Sequence, residues 1–115
     1  YSLGNIQLSI ESYLKSLELN PESFEGWSKL AETYGELGMW LEGMRALDEC
    51  IRINPNDANS YYEKAKIYFL LNHTKEAIDF LKLAFKIDPS IKNNFSKDYP
   101  EVKLSKLFNK LIEEN

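Results

Sequence analysis

Apolar residues recur at helical spacing through most of this chain. Trp27, Leu30, Ala31, Tyr34 and Leu37 follow an i, i+3, i+4, i+7 rule, which predicts an amphipathic helix. Gly43, Met44, Leu47, Cys50 and Ile51 form a second stripe, and then the pattern starts again. Tyr61, Ala65 and Tyr68 repeat the first stripe; Ala77, Ile78, Leu81, Ala84 and Phe85 repeat the second. Polar residues mark the boundaries. Ser23 and Asp57 stand where N-caps are needed. Gly38, and Asn72 one period later, stand where a left-handed residue ends a helix. Asn54-Pro55 and Asp88-Pro89 stop the second helices, because proline pushes its predecessor out of the α region.

The prolines fix the period. Pro21, Pro55 and Pro89 recur every 34 residues, so one helix pair is copied along the chain. Large positions meet large ones, and the small residues Gly43, Cys50, Ala77 and Ala84 let two helix backbones approach. Counting back from Pro21, Leu3-Gly4 matches Leu37-Gly38, and Tyr13, Ser16 and Leu17 match Leu47, Cys50 and Ile51. The chain is therefore expected to begin at the end of a first helix, with natural sequence upstream of Tyr1 and one repeat face uncovered. After Pro89 the signature fades. Ile91 to Tyr99 is expected to form a short helix, with Phe95 at the Trp27/Tyr61 position. Pro100 then opens a helix with the stripe Leu104, Leu107, Phe108, Leu111 and Ile112. This segment is expected to cap the last repeat; the competing role is a partner-binding or dimerising helix.

Trp27-x2-Leu30-Ala31-x2-Tyr34-x3-Gly38, followed by Pro55, resembles a tetratricopeptide repeat (TPR). The resemblance implies an all-α, right-handed solenoid of helix-turn-helix units with a C-terminal capping helix. One domain over 1–115 divides into a partial repeat (1–23), full repeats at 24–57 and 58–91, and a short helix plus cap (92–115). Two positions depart from the family pattern. Gly43 replaces the usual alanine, at a cost of about 1 kcal/mol in helix propensity. Lys64 stands where leucine is common, and is expected to lay its stem along the groove with its charge in water.

Composition narrows the chemistry. The chain has 115 residues, 43% hydrophobic and 28% charged, with a formal charge of −4, which fits a folded domain that favours neutral or basic partners. No Lys/Arg cluster points to nucleic acid, and no apolar run is long enough to span a membrane. The single cysteine, Cys50, occupies a packing position and fits a reducing, cytoplasmic compartment. The single histidine, His73, falls in a turn and reads as a solvated residue. No metal-ligand spacing, phosphate loop or catalytic constellation is present, so no cofactor, metal or enzymatic activity is expected.

Surface remains. In the TPR family the first helices line a concave groove that receives a peptide. By that resemblance Glu25, Ser28, Glu32, Gly35 and Glu36 line it from one repeat, and Asn59, Tyr62, Lys66, Phe69 and Leu70 from the next. Tyr62, Phe69 and Leu70 read as exposed apolar anchors, with cover by the C-terminal segment as the equal alternative for Phe69 and Leu70. Replacing Tyr62 and Phe69 by alanine is the test of that anchor role. One TPR subgroup clamps the acidic C-terminal tails of heat-shock chaperones with Lys, Asn and Arg. Ser28, Glu32, Asn59 and Glu63 stand at or near those positions, so binding of such tails is not expected. The function implied is a protein-interaction scaffold with a protein or peptide partner. The alternatives are an accessory domain of a larger enzyme or envelope-associated protein, and self-association through the open N-terminal face.

Overall fold

The computed structural model describes residues 3–98, which fold into six α-helices with no strand among them. They are α1 (Leu3–Leu19), α2 (Phe24–Glu36), α3 (Trp40–Ile53), α4 (Ala58–Leu70), α5 (Thr74–Ile87) and α6 (Ile91–Asp98). Each helix packs on the next, and α6 returns onto both α4 and α5. The Cα radius of gyration is 15.2 Å, against about 13 Å for a compact domain of this length. The molecule is accordingly drawn out along the stacking direction, at 46 × 29 × 21 Å.

The repeat recurs in its hydrogen bonds. Ser23 caps α2 by accepting from Gly26 N, and Asp57 caps α4 by accepting from Ser60 N. Gly38 (φ 71°) and Asn72 (φ 63°) both adopt the left-handed backbone that ends α2 and α4. In both turns the following amide donates back to a tyrosine carbonyl: Met39 N to Tyr34 O, and His73 N to Tyr68 O. The periodic prolines are tied down too. Trp27 Nε1 donates to Pro21 O at 2.8 Å, and Tyr61 Oη donates to Pro55 O at 3.0 Å. An aromatic donor six residues on thus satisfies the carbonyls of Pro21 and Pro55. Phe95, at the same place after Pro89, carries no donor and is buried instead.

The core divides into two connected clusters. Leu17, Leu30, Ala31, Ala46, Leu47 and Ile67 join α1 through α4. Tyr62, Ala65, Leu81, Ala84, Phe85, Ile91 and Phe95 join α4 through α6. Gly43, Cys50, Ala77 and Ala84 are all buried, as the small-residue positions require.

Two expectations are corrected. Leu3 and Gly4 do not end a separate helix; α1 runs unbroken from Leu3, because nothing at Gly4 demands left-handed backbone. Lys64 does not keep its charge in water. It is buried at the position of Leu30, with Nζ 2.5 Å from Asp48 Oδ1 and 4.5 Å from the centre of the Phe80 ring. A neighbouring carboxylate and an aromatic face replace the hydration that its stem could not reach. The helix expected from Pro100, with Leu104, Leu107, Phe108, Leu111 and Ile112, lies outside the described residues.

Candidate functional site

A groove of about 600 Å³ runs between α2 and α4. Ser28, Glu32, Gly35 and Glu36 line it from α2, one face of that helix at i, i+4, i+7 and i+8. Asn59, Glu63, Lys66 and Leu70 line it from α4, at i, i+4, i+7 and i+11. Its floor is apolar, built from Ala31, Trp40, Leu47 and Ile67. Leu70 is 57% exposed, an apolar side chain that the repeat's own packing leaves uncovered.

The electrostatics are one-sided. Glu32, Glu36 and Glu63 face a single cation, Lys66. That cation is already engaged: Lys66 Nζ lies 3.0 Å from Glu63 Oε1, 3.9 Å from Asp98 Oδ2 and 5.0 Å from the centre of the Tyr62 ring. The groove therefore offers an incoming group mostly acceptors, over an apolar floor.

Seven of the ten residues expected at the site line this groove: Ser28, Glu32, Gly35, Glu36, Asn59, Lys66 and Leu70. Glu25 is exposed in the first turn of α2, outside the groove lining. Tyr62 is not a surface anchor. It is 2% exposed, packs in the second core cluster and donates its hydroxyl to Asp98 Oδ2. Phe69 is half-buried against the same cluster, 6.4 Å from the Phe95 ring. Here cover by the C-terminal side holds, supplied by α6. The physical reason is that α4 is sandwiched between α3, α5 and α6, so three of its faces are apolar for packing alone. Periodicity marks an apolar residue on such a helix but not which neighbour covers it.

Sequence reasoning missed the floor residues Trp40, Leu47 and Ile67. Ile67 had a signal: its counterpart one period earlier is the polar Thr33. The change puts a branched apolar side chain where α4 meets the first cluster.

Cys50 is 1% exposed, and burial pushes its thiol up to about 11, with the Asp57 charge adding to the shift. That suits a packing role and not a nucleophile. His73 is exposed at the start of α5, with Nδ1 3.8 Å from Glu76 Oε2. Among the described residues, no cluster of His, Cys, Asp and Glu could hold a metal ion, and no helix is long and apolar enough to cross a membrane.

Helix pairs stacked with a fixed period, leaving a groove along their first helices, define a helical-repeat module. Two family models match, one described as TPR repeat over residues 1–38 and one as tetratricopeptide repeat over residues 46–79. The chain belongs to the tetratricopeptide repeat family. It is 26% identical over 82 residues to an Hsp70-Hsp90 organizing protein of Triticum aestivum, covering 71% of this chain and 14% of that protein. It is 23% identical over 99 residues to the tetratricopeptide repeat and J domain-containing co-chaperone DNJ1 of Cryptococcus neoformans, covering 86% of this chain and 18% of that one. The chain thus spans a small part of the relatives it matches. Among solved structures, a MamA protein superposes with a TM-score of 0.76 at 24% identity, over 96% of this chain and 64% of that one. The TPR2B domain of yeast Sti1, in its complex with pHsp70, superposes with a TM-score of 0.69 at 19% identity, over 96% of this chain and 82% of that one.

Proposed function

We propose that this chain is a protein-interaction module that holds a partner's peptide segment in the groove between α2 and α4. The observation that carries this reading is the groove itself: an apolar floor and an exposed Leu70, rimmed by polar side chains that the core does not use. A preformed groove keeps the ordering cost on the protein side low. The module has no catalysis of its own in this reading, and its single buried thiol fits the cytoplasm. In the longer relatives, comparable repeats belong to an Hsp70-Hsp90 organizing protein and to a J domain-containing co-chaperone. The role proposed here is a scaffold that brings a partner to a larger protein.

The acidic lining argues for a neutral or basic segment. A C-terminal carboxylate would meet Glu32, Glu36 and Glu63, with Lys66 already held by Glu63. The test is a pair of titrations on the whole chain, followed by the amide signals of Ser28, Asn59 and Leu70. One peptide is lysine-containing and amidated; the other is acidic with a free C-terminus. The first is expected to shift these signals, and less so after Glu32→Lys. Low-micromolar binding of the acidic peptide, lost on charge reversal at Lys66, would overturn the reading.

A further inference from the structure

The two helices that wall the groove carry the same two charged positions with their signs exchanged. On α2, Lys29 and Glu32 stand three residues apart; one period later, on α4, Glu63 and Lys66 take their places. The two sets are not neutralised alike. Lys29 lines a separate cavity against α1, and among the described residues no ion pair joins it to Glu32. Glu36, one turn further along α2, has no ion pair among them either.

Lys66 is closed off twice. Glu63 Oε1 lies 3.0 Å from its ammonium, and Asp98 Oδ2 lies 3.9 Å from it. Asp98 comes from the last turn of α6, outside the described groove lining. The Tyr62 hydroxyl donates to that same Oδ2, which fixes the carboxylate beside the cation. The groove's one cation is thus balanced by two internal anions. Glu32 and Glu36, on the opposite wall, have no such partner.

We infer that Asp98 and Glu63 are the specificity-determining residues of this groove, holding Lys66 as an internal salt so that carboxylates are rejected and basic segments are taken. The inference rests on the groove being the peptide site. An incoming carboxylate must displace one of these anions or share Lys66 with both, at a like-charge cost. A basic group meets Glu32 and Glu36 with nothing to displace. Asp98 itself touches no ligand; it acts through Lys66, and its place is set by the packing of α6 on α4.

The test titrates two peptides into the whole chain, acetyl-Gly-Leu-Gly-Glu-Asp with a free C-terminus and acetyl-Gly-Leu-Gly-Lys-Lys-amide. The amide signals of Ser28, Asn59 and Leu70 are the readout. Asp98→Asn removes the charge but keeps an oxygen that accepts from Tyr62. It is expected to tighten the acidic peptide about three- to fivefold and to leave the lysine peptide within about twofold. Adding Glu63→Gln is expected to bring the gain to about tenfold or more. Lys66→Gln in that double variant is expected to abolish the gain, and Asp98→Glu to leave the natural preference in place. Tyr62→Phe loosens α6 but keeps both carboxylates, so its gain is expected to be smaller than that of Asp98→Asn. Unchanged acidic affinity in the folded double variant would overturn the inference; if that variant does not fold, Asp98→Asn alone decides. A gain that survives Lys66→Gln would overturn it too. So would an equal gain in Tyr62→Phe, which would mark a loosened α6 and not a freed cation. Failure of the groove reading shows separately, as no binding of the lysine peptide to the natural chain.

Discussion

The Tyr62 hydroxyl donates a hydrogen bond to Asp98 Oδ2, joining the middle of α4 to the last turn of α6. The tyrosine end is buried and the carboxylate is 44% exposed. Tyr62→Phe removes the bond but keeps the ring, and should cost about 1 kcal/mol. The loss should be local, with faster amide exchange in Ile91–Asp98 and unchanged exchange in α2 and α3. Tyr62→Ala should cost about 3–5 kcal/mol, because a buried aromatic leaves a cavity. A binding defect in that variant would report a damaged core and not a damaged groove. Urea unfolding of both variants checks the ranking; equal costs would contradict it.

Two glycines should respond in opposite directions to the same change. A Cβ on Gly43 would meet Tyr34 Cβ at 3.7 Å and Ala31 O at 3.8 Å, which is ordinary contact. Its counterpart one period later is Ala77, fully buried. Gly43→Ala should therefore stabilise by about 1 kcal/mol through helix propensity. Gly38 has φ 71°, a backbone that an alanine enters only with strain. Gly38→Ala should destabilise by about 1–2 kcal/mol. Chemical denaturation with equal m-values for all three proteins is the check.

The Lys64–Asp48 pair is unequal: the lysine side chain is 11% exposed and the aspartate 60%. Lys64→Leu restores the residue type of Leu30 and leaves Asp48 in water. It should be neutral, or stabilising by up to about 1 kcal/mol. Asp48→Ala strands an inward ammonium with only the Phe80 face for company. It should destabilise, but by no more than about 1 kcal/mol, because the lost partner was largely solvated. A double-mutant cycle read by thermal unfolding separates the two. A larger loss for Lys64→Leu than for Asp48→Ala would refute this account.

Much of this was legible in the chain. Prolines at a fixed period, with Ser23, Asp57, Gly38 and Asn72 at matching places, specify local backbone events, and each formed where its chemistry places it. The α2 side of the groove could be read because Ser28, Glu32 and Gly35 are polar or small and take no part in packing. The α4 side was harder. Tyr62 and Leu70 look alike in one dimension, yet α6 buries the first and leaves the second open.

Cys50 sets the behaviour expected in alkali. Burial first, and the Asp57 charge second, raise its thiol from 9.0 to about 11 in the folded chain, with a hydrogen bond to Ser60 partly offsetting this. Below pH 9 the thiol keeps its proton in both states. Between pH 9 and about 11 the unfolded chain loses that proton and the folded chain does not. The unfolded state is thereby favoured, so stability falls as pH rises through this window. Cys50→Ala takes the residue found at the equivalent Ala84, which is fully buried, and removes the group that titrates. At pH 7 the variant should fold with a modest loss, since one buried sulfur is gone. Its stability should then decline less steeply between pH 9 and 11 than that of the natural chain. Urea midpoints at pH 7, 9 and 11 measure this directly, and parallel declines in the two proteins would show that the thiol contributes nothing.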